Sequence, residues 1–178
     1  MHRLFVAIDL PDEVKNALGT LCSGLAGAKW VKREQMHLTL RFIGDVDDER
    51  FEAIKSELGS VKSAPFEMHL EGVGQFPVKG KPRVLWVGVK AHPALAELYG
   101  KVNNTLNGLD LPPEDYPFSP HITLARLKIP PQQENIRQFF TRNAAFKTEV
   151  FPVQAFILFS SQLGPGGATY RKEMVYPF

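Results

Sequence analysis

Two stretches carry residue types that do chemistry together: His37-Leu38-Thr39-Leu40 and, in the second half of the chain, His121-Ile122-Thr123-Leu124. Chance places roughly 0.2 His-x-Thr triplets in a chain of this composition, so one copy would mean little. Two copies, each with an apolar residue inside and leucine after, ask for a common purpose. Imidazole titrates near neutral pH, so one histidine can accept a proton while a partner donates one. Threonine hydroxyls are short, neutral donors suited to phosphate oxygens, and in-line displacement at a phosphodiester needs such groups on opposite sides of phosphorus.

The spacing has a physical meaning if each motif is a strand. Side chains alternate faces, so His37 and Thr39 share one face while Leu38 and Leu40 take the other, and His121 and Thr123 stand likewise against Ile122 and Leu124. Each strand then offers an imidazole and a hydroxyl outward and an aliphatic pair to the core.

The elements that must position these strands can be taken in order. Leu4–Ile8 is an apolar run that predicts a strand buried on both faces, stopped at Asp9-Leu10-Pro11. A helix is expected from Pro11, with Val14, Leu18, Leu21, Cys22 and Leu25 on one stripe and Gly24 and Gly27 at its end. After the first motif strand and Gly44-Asp45, the acidic run at Asp47, Asp48 and Glu49 suits a helix start, with Phe51, Ile54 and Leu58 buried. That run lacks the alternating oxygen ligands of a calcium loop. Phe66–Phe76 alternates as a one-sided strand, with His69 on its polar face, and Lys79–Pro82 is expected to join two halves.

The second half repeats the order. Val84–Val89 is an apolar strand; Pro93 starts a helix with Leu95, Leu98, Val102 and Leu106 on one face, and His92 beside it reads as a surface residue. Gly108–Pro120 is irregular, and Ser119-Pro120 forces an extended approach to the second motif. A helix with Ile136, Phe139 and Phe140 follows, then a strand over Val150–Phe159, a turn at Gly164–Ala168 and a last strand over Tyr170–Tyr176. The glycine-rich turn does not have the spacing of a phosphate-cradling loop. Each half therefore runs strand, helix, His-x-Thr strand, helix, strand. A duplicated unit of this kind packs about a pseudo-two-fold axis, which would set two imidazoles and two hydroxyls across one cleft.

Composition bounds the rest. The 178 residues, 44% hydrophobic, are enough for a sizeable core and are expected to form one bilobal unit with repeat halves of roughly 1–80 and 81–178. With 21 basic and 19 acidic side chains the formal charge is only +2, so a nucleic-acid partner would be met by a local patch. No apolar run approaches the roughly 18–20 residues of a membrane span, and Met1–Leu10 lacks a signal-peptide pattern, so a cytoplasmic protein is expected. Cys22 is the only cysteine and is read as a core thiol.

The paired H-L-T-L and H-I-T-L, the R-F-I-G after the first, the opening RLFVAIDLP, the lead-in WVKREQMHLTLRFIG, the central PRVLWVGV and the segment FSPHITLARL resemble the 2H phosphoesterase family. Within it the chain is most similar to the RNA 2′,3′-cyclic phosphodiesterases, also known as 2′-5′ RNA ligases of the LigT type. The resemblance covers nearly the whole chain. It implies an α+β bilobal fold, with two antiparallel sheets lining a central cleft and helices outside, and no metal or other cofactor. It makes His37 the proton donor to the departing ribose oxygen and His121 the acceptor that activates water. The substrate it implies is an RNA with a 2′,3′-cyclic phosphate terminus, such as a tRNA-derived end, or a cyclic nucleotide. The product would be a 2′-phosphomonoester, with 2′-5′ ligation when a 5′-hydroxyl replaces water. No membrane or protein partner is implied.

Thr39 and Thr123 are placed as phosphate ligands by both the face argument and the resemblance. The cation is less direct: strict alternation puts Arg41 on the face of His37 and sends Arg126 the other way unless the strand bulges, whereas the resemblance favours Arg126. Arg41, Phe42, Arg83, Trp86 and Tyr170 are candidates to hold or stack on a base. Two rival classes stand beside this reading. A non-catalytic RNA-end binder would have no use for mirrored imidazoles, and a two-histidine metal hydrolase would want carboxylates on the motif face, where Glu34 and Asp45 fall in flanking loops.

Overall fold

The computed structural model describes residues 1–178. In chain order the elements are β1 (His2–Asp9), α1 (Asp12–Gly19), β2 (Ala28–Trp30), a 3₁₀ turn (Arg33–Gln35), β3 (His37–Val46), α2 (Asp48–Leu58), β4 (Phe66–Met68) and β5 (Leu70–Phe76), then β6 (Val84–Val89), α3 (Pro93–Asn107), β7 (His121–Leu127), α4 (Gln133–Asn143), β8 (Phe151–Val153), β9 (Ala155–Gly164) and β10 (Gly167–Pro177). The repeat of strand, helix, motif strand and helix expected from the sequence is there in both halves. No helix is long and apolar enough to cross a membrane.

The main strands follow the order β10-β9-β1-β3-β7-β6-β5, every pairing antiparallel, with β4 and β8 forming a separate pair. Two sheets can be told apart within that path. One holds β10, β9, β1 and β3, the other β7, β6 and β5, and they meet only at Leu38↔Ile122. Past that rung, β2 takes over the same edge of β7 through Ala28↔Leu127, Lys29↔Arg126 and Trp30↔Ala125. Leu38 and Ile122 hold the same place in the two motifs, so the pseudo-two-fold axis passes between them.

The lobes are not the two sequence halves. β5, from the first half, pairs with β6, and β9 with β10, from the second, pair onto β1, so each sheet draws strands from both halves. Lys79–Pro82 is accordingly the tip of the β5–β6 hairpin rather than a joint between lobes.

The sheets have a helix side and, opposite it, the side expected to line the cleft, called the cleft side below. On the helix side one continuous core takes Leu38, Leu40, Ile122 and Leu124 together with Val14, Leu18, Ile54, Leu58, Leu98, Val102 and Phe139 from the four helices. On the cleft side Phe5, Ala7, Ile157 and Phe159 form a small separate cluster capped by Tyr170. Burial therefore drives the motif strands into place. At about 25 cal/mol per Å² of apolar surface, each fully buried aliphatic chain stabilises by about 1.5–3 kcal/mol, and a one-residue slip would bring the imidazoles into the core.

Local chemistry sets the helix ends. Asp47 caps α2, its carboxylate accepting the Arg50 N–H at 2.8 Å, so the acidic run is a helix start. His92 is not a free surface residue: it caps α3, Nδ1 accepting the Ala94 N–H at 3.1 Å while its ring stacks on Phe66. The first helix stops at Gly19, short of the expected run, yet Leu21 and Leu25 stay buried because turns carry the stripe onward. Cys22 is half-buried, its thiol donating to the Leu18 carbonyl, and burial pushes its pKa up.

Candidate active site

β3 and β7 deliver the two motifs to the cleft side in the same way. His37, Thr39, His121 and Thr123 are half-exposed, while Leu38, Leu40, Ile122 and Leu124 are buried at 1% exposure or less. His37 Nδ1 lies 2.7 Å from the Gln35 carbonyl oxygen, and His121 Nδ1 lies 2.7 Å from that of Ser119. A carbonyl only accepts, so in both rings Nδ1 carries the hydrogen and Nε2 is turned toward the cleft. His37 Nε2 meets the Thr39 hydroxyl at 2.9 Å. The Gln35 side chain donates to the Ala168 carbonyl, which ties the carbonyl that steers His37 to the β9–β10 hairpin.

Aromatic rings hold each imidazole in place. Phe5 lies 4.9 Å from His37 and Tyr170 meets it edge-on at 5.5 Å; Phe76 meets His121 edge-on at 4.9 Å and Trp86 lies 6.3 Å away. Trp86 is the rung partner of Thr123, and its indole lies over Gly74, where a Cβ would come within 2.2 Å of it. Trp86 and Tyr170 are thus both brought to the cleft side.

The bulge decides the arginines. Val6 faces Arg41 and Ala7 faces Thr39, leaving Leu40 as an extra residue; Leu85 faces Ala125 and Trp86 faces Thr123, leaving Leu124 as the extra one. Alternation is therefore reset by one in both strands. Arg126 comes to the side of His121 and Thr123, and the expectation from strict alternation is corrected. Arg41 instead turns to the helix side, 2% exposed, and donates to Asn103 and to the Pro112 carbonyl, so it is withdrawn as a substrate-binding candidate. Phe42 holds the place in β3 that Arg126 holds in β7: it is 60% exposed, with its ring 6.0 Å from Phe5. Arg83 is exposed at the base of the β5–β6 hairpin, its carbonyl accepting the Leu127 N–H, and Val84 rather than Arg83 stands across from Arg126.

The two half-sites differ electrostatically. Asp9 is the rung partner of His37, held by Lys15 at 2.8 Å and Lys172 at 2.6 Å. Gly88 is the partner of His121, and a Cβ there would come within 2.8 Å of the Glu71 carbonyl oxygen, so no carboxylate fits. Burial pushes the Asp9 carboxyl up, but the hydrogen bonds and charges of Lys15 and Lys172 outweigh it and hold it below the usual range. Burial is also the largest influence on both histidines and holds each below the ordinary imidazole value. The Gln35 carbonyl and Asp9 pull His37 back up while Lys15 and His121 push it down. The Ser119 carbonyl pulls His121 up and Arg126 pushes it down.

Asp9 and the steering carbonyls escaped the sequence reading, because only the strand register brings them to the rings. No three His, Cys, Asp or Glu side chains are grouped so as to hold a metal ion. What the arrangement offers is two Nε2 atoms on adjacent strands, two hydroxyls and one guanidinium on the same side.

The family model described as LigT like Phosphoesterase matches the chain over residues 8–86 and again over 87–170. A relative from Archaeoglobus fulgidus named RNA 2′,3′-cyclic phosphodiesterase is 35% identical over 178 residues, covering 98% of this chain and 99% of its own. Among solved structures, a protein of Thermus thermophilus superposes with a TM-score of 0.80 at 32% identity, covering 98% of this chain and 97% of its own. E. coli LigT complexed with 3′-AMP superposes with a TM-score of 0.80 at 26% identity, covering 99% and 98%.

Proposed function

The chain belongs to the LigT-like phosphoesterase family, and from that premise we propose that it hydrolyses RNA 2′,3′-cyclic phosphate ends to 2′-phosphomonoesters by two-histidine acid–base catalysis, without a metal. The observation that carries this reading is the meeting of the two motifs at equivalent residues, Leu38 and Ile122, with both imidazoles held by Nδ1 and presented by Nε2. The names of the relatives point to the same reaction. A structural relative complexed with 3′-AMP fits a cleft that takes a nucleotide with phosphate on that edge of the ribose.

In this mechanism His121 Nε2 accepts a proton from water, whose oxygen forms the new bond to phosphorus. The bond from phosphorus to the 3′-oxygen breaks, and that oxygen takes the proton from His37 Nε2. Thr39, Thr123 and Arg126 hold the non-bridging oxygens as charge develops on them. Burial lowers both rings, and against that background Asp9 acts toward a protonated His37 while Arg126 acts toward a neutral His121. A 5′-hydroxyl in place of water gives a 2′-5′ linkage by the same proton transfers. The chain works as one bilobal unit built from the repeats of roughly 1–80 and 81–178.

Because both histidines lie below the ordinary value of about 6.5, the bell of kcat/KM against pH is expected to centre on the acid side of 6.5 and to fall as pH rises above it. Stability runs the other way. The fold holds both rings neutral, so below about pH 6.5 the unfolded chain takes up protons first and stability declines until the lowered folded values are passed. A pH series of initial rates, paired with denaturant melts, checks both signs.

The deciding experiment is incubation of an RNA ending in a 2′,3′-cyclic phosphate with the protein in EDTA, resolving 2′- from 3′-phosphate. Formation of the 2′-phosphate at an undiminished rate is expected. Loss of turnover in EDTA would point to a metal hydrolase, and no turnover on any cyclic phosphate would leave a non-catalytic binder of RNA ends.

A further inference from the structure

Lys29 lies directly across from Arg126 on the rung that joins β2 to β7. Its neighbours on both strands face the core: Leu127 is 3% exposed, Ala125 is fully buried, and the Trp30 ring lies 6.0 Å from Phe139 of α4. By alternation Lys29 and Arg126, both exposed, project side by side on the cleft side. Like charges at directly opposed positions repel, and neither side chain is joined to a carboxylate in an ion pair. A repulsive pair with no internal counter-charge is what a bound anion relieves.

The opposite end of the cleft lacks this feature. There the equivalent of Arg126 is Phe42, and the group beside it is the Glu114 carboxylate, which accepts the Phe42 N–H at 3.2 Å. Arg3, exposed and two residues from Phe5 on β1, stands at that end, so both ends carry cations, and the β7 end sets two of them directly opposite each other. The Lys29–Arg126 rung stands beyond Thr123 along β7, on the far side of the bulge at Leu124. Arg126 is assigned to the phosphorus held between the histidines, which leaves the flexible ammonium of Lys29 beside it for a phosphate one nucleotide away.

We propose that Lys29, next to the Arg126 assigned to the cyclic phosphate, forms a second anion subsite that takes the phosphate on the 5′ side of the terminal nucleotide. This rests on the cyclic phosphodiesterase reading above and refines it: the chain favours a polynucleotide end, or a 5′-phosphorylated nucleotide, over a bare cyclic mononucleotide. The shared chemistry is a phosphate on the 5′-oxygen of the terminal ribose, whichever source supplies it.

The test compares kcat/KM on three substrates: adenosine 2′,3′-cyclic phosphate, its 5′-phosphorylated form, and the dinucleotide ApA ending in the cyclic phosphate. Lys29→Gln is expected to lower the ratio of dinucleotide to mononucleotide by about tenfold, and to flatten the log–log salt dependence on the dinucleotide by about one unit. Lys29→Arg should keep the ratio. An equal fall for dinucleotide and 5′-phosphorylated substrate identifies the 5′-phosphate itself as the ligand; a fall on the dinucleotide alone identifies the internucleotide linkage. An unchanged ratio with wild type active overturns the subsite and leaves the reaction standing. Wild type inert on all three overturns the reaction and the subsite with it.

Discussion

On the proposed two-histidine mechanism, alanine at either His37 or His121 is expected to lower kcat/KM on cyclic-phosphate-terminated RNA by about 10³-fold or more, because each change would remove a proton-transfer partner that no neighbour replaces. The two losses are expected to separate with the leaving group. A phosphodiester that expels a nitrophenolate needs no acid, so on that substrate the His37→Ala deficit should shrink sharply while the His121→Ala deficit persists. Equal recovery in both variants would reverse or dissolve the assignment of acid and base. The rings are partly buried but lie outside the main core, and their aromatic neighbours pack against one another, Phe5 on Phe159 at 5.1 Å and Phe76 on Trp86 at 5.3 Å, so the folded state should survive both changes.

The second large effect is a contrast between two arginines. Arg126→Ala is expected to lower kcat/KM by about 10²-fold, since on the proposed mechanism it would remove a charged donor to the developing phosphate charge, with little change in thermal stability. Arg41→Ala should do the opposite. It strands the buried Asn103 amide oxygen and the Pro112 carbonyl, costing about 2–4 kcal/mol of stability, while the properly folded fraction keeps near-normal turnover. Denaturant melts and active-site titration on the same preparations separate these outcomes. A reversed pattern would mean that the bulge does not set the catalytic face.

Much of the fold can be read from local patterning, because burial enforces it. The alternation at Leu38 and Leu40, the stripe at Leu95, Leu98, Val102 and Leu106, and the acidic start at Asp47 each give an element directly. What stayed hidden depends on pairing between distant strands. Leu40 and Leu124 look like ordinary core positions, and only the register with Val6-Ala7 and Leu85-Trp86 reveals them as the extra residues that reset alternation. Asp9 reads as the end of a strand until it is found across from His37. Lys29 sits in a three-residue strand too short for any period to mark, and His92 caps a helix although histidine is not among the usual capping residues.

The exchange of β5 and β9 between the lobes bears on how the chain acquires activity during folding. Neither sheet is complete until both halves of the polypeptide are present, so pairing β9 with β1 must close a loop spanning most of the chain, a high-contact-order step that slows folding. A ribosome-bound nascent chain carrying only the first motif would have its imidazole but not the strand that packs Phe159 against Phe5 behind it. Separately expressed halves would be left with unpaired edges and would gain by trading strands with each other. Activity should therefore emerge late and in one step, and limited proteolysis should yield either intact enzyme or small fragments, never a working half.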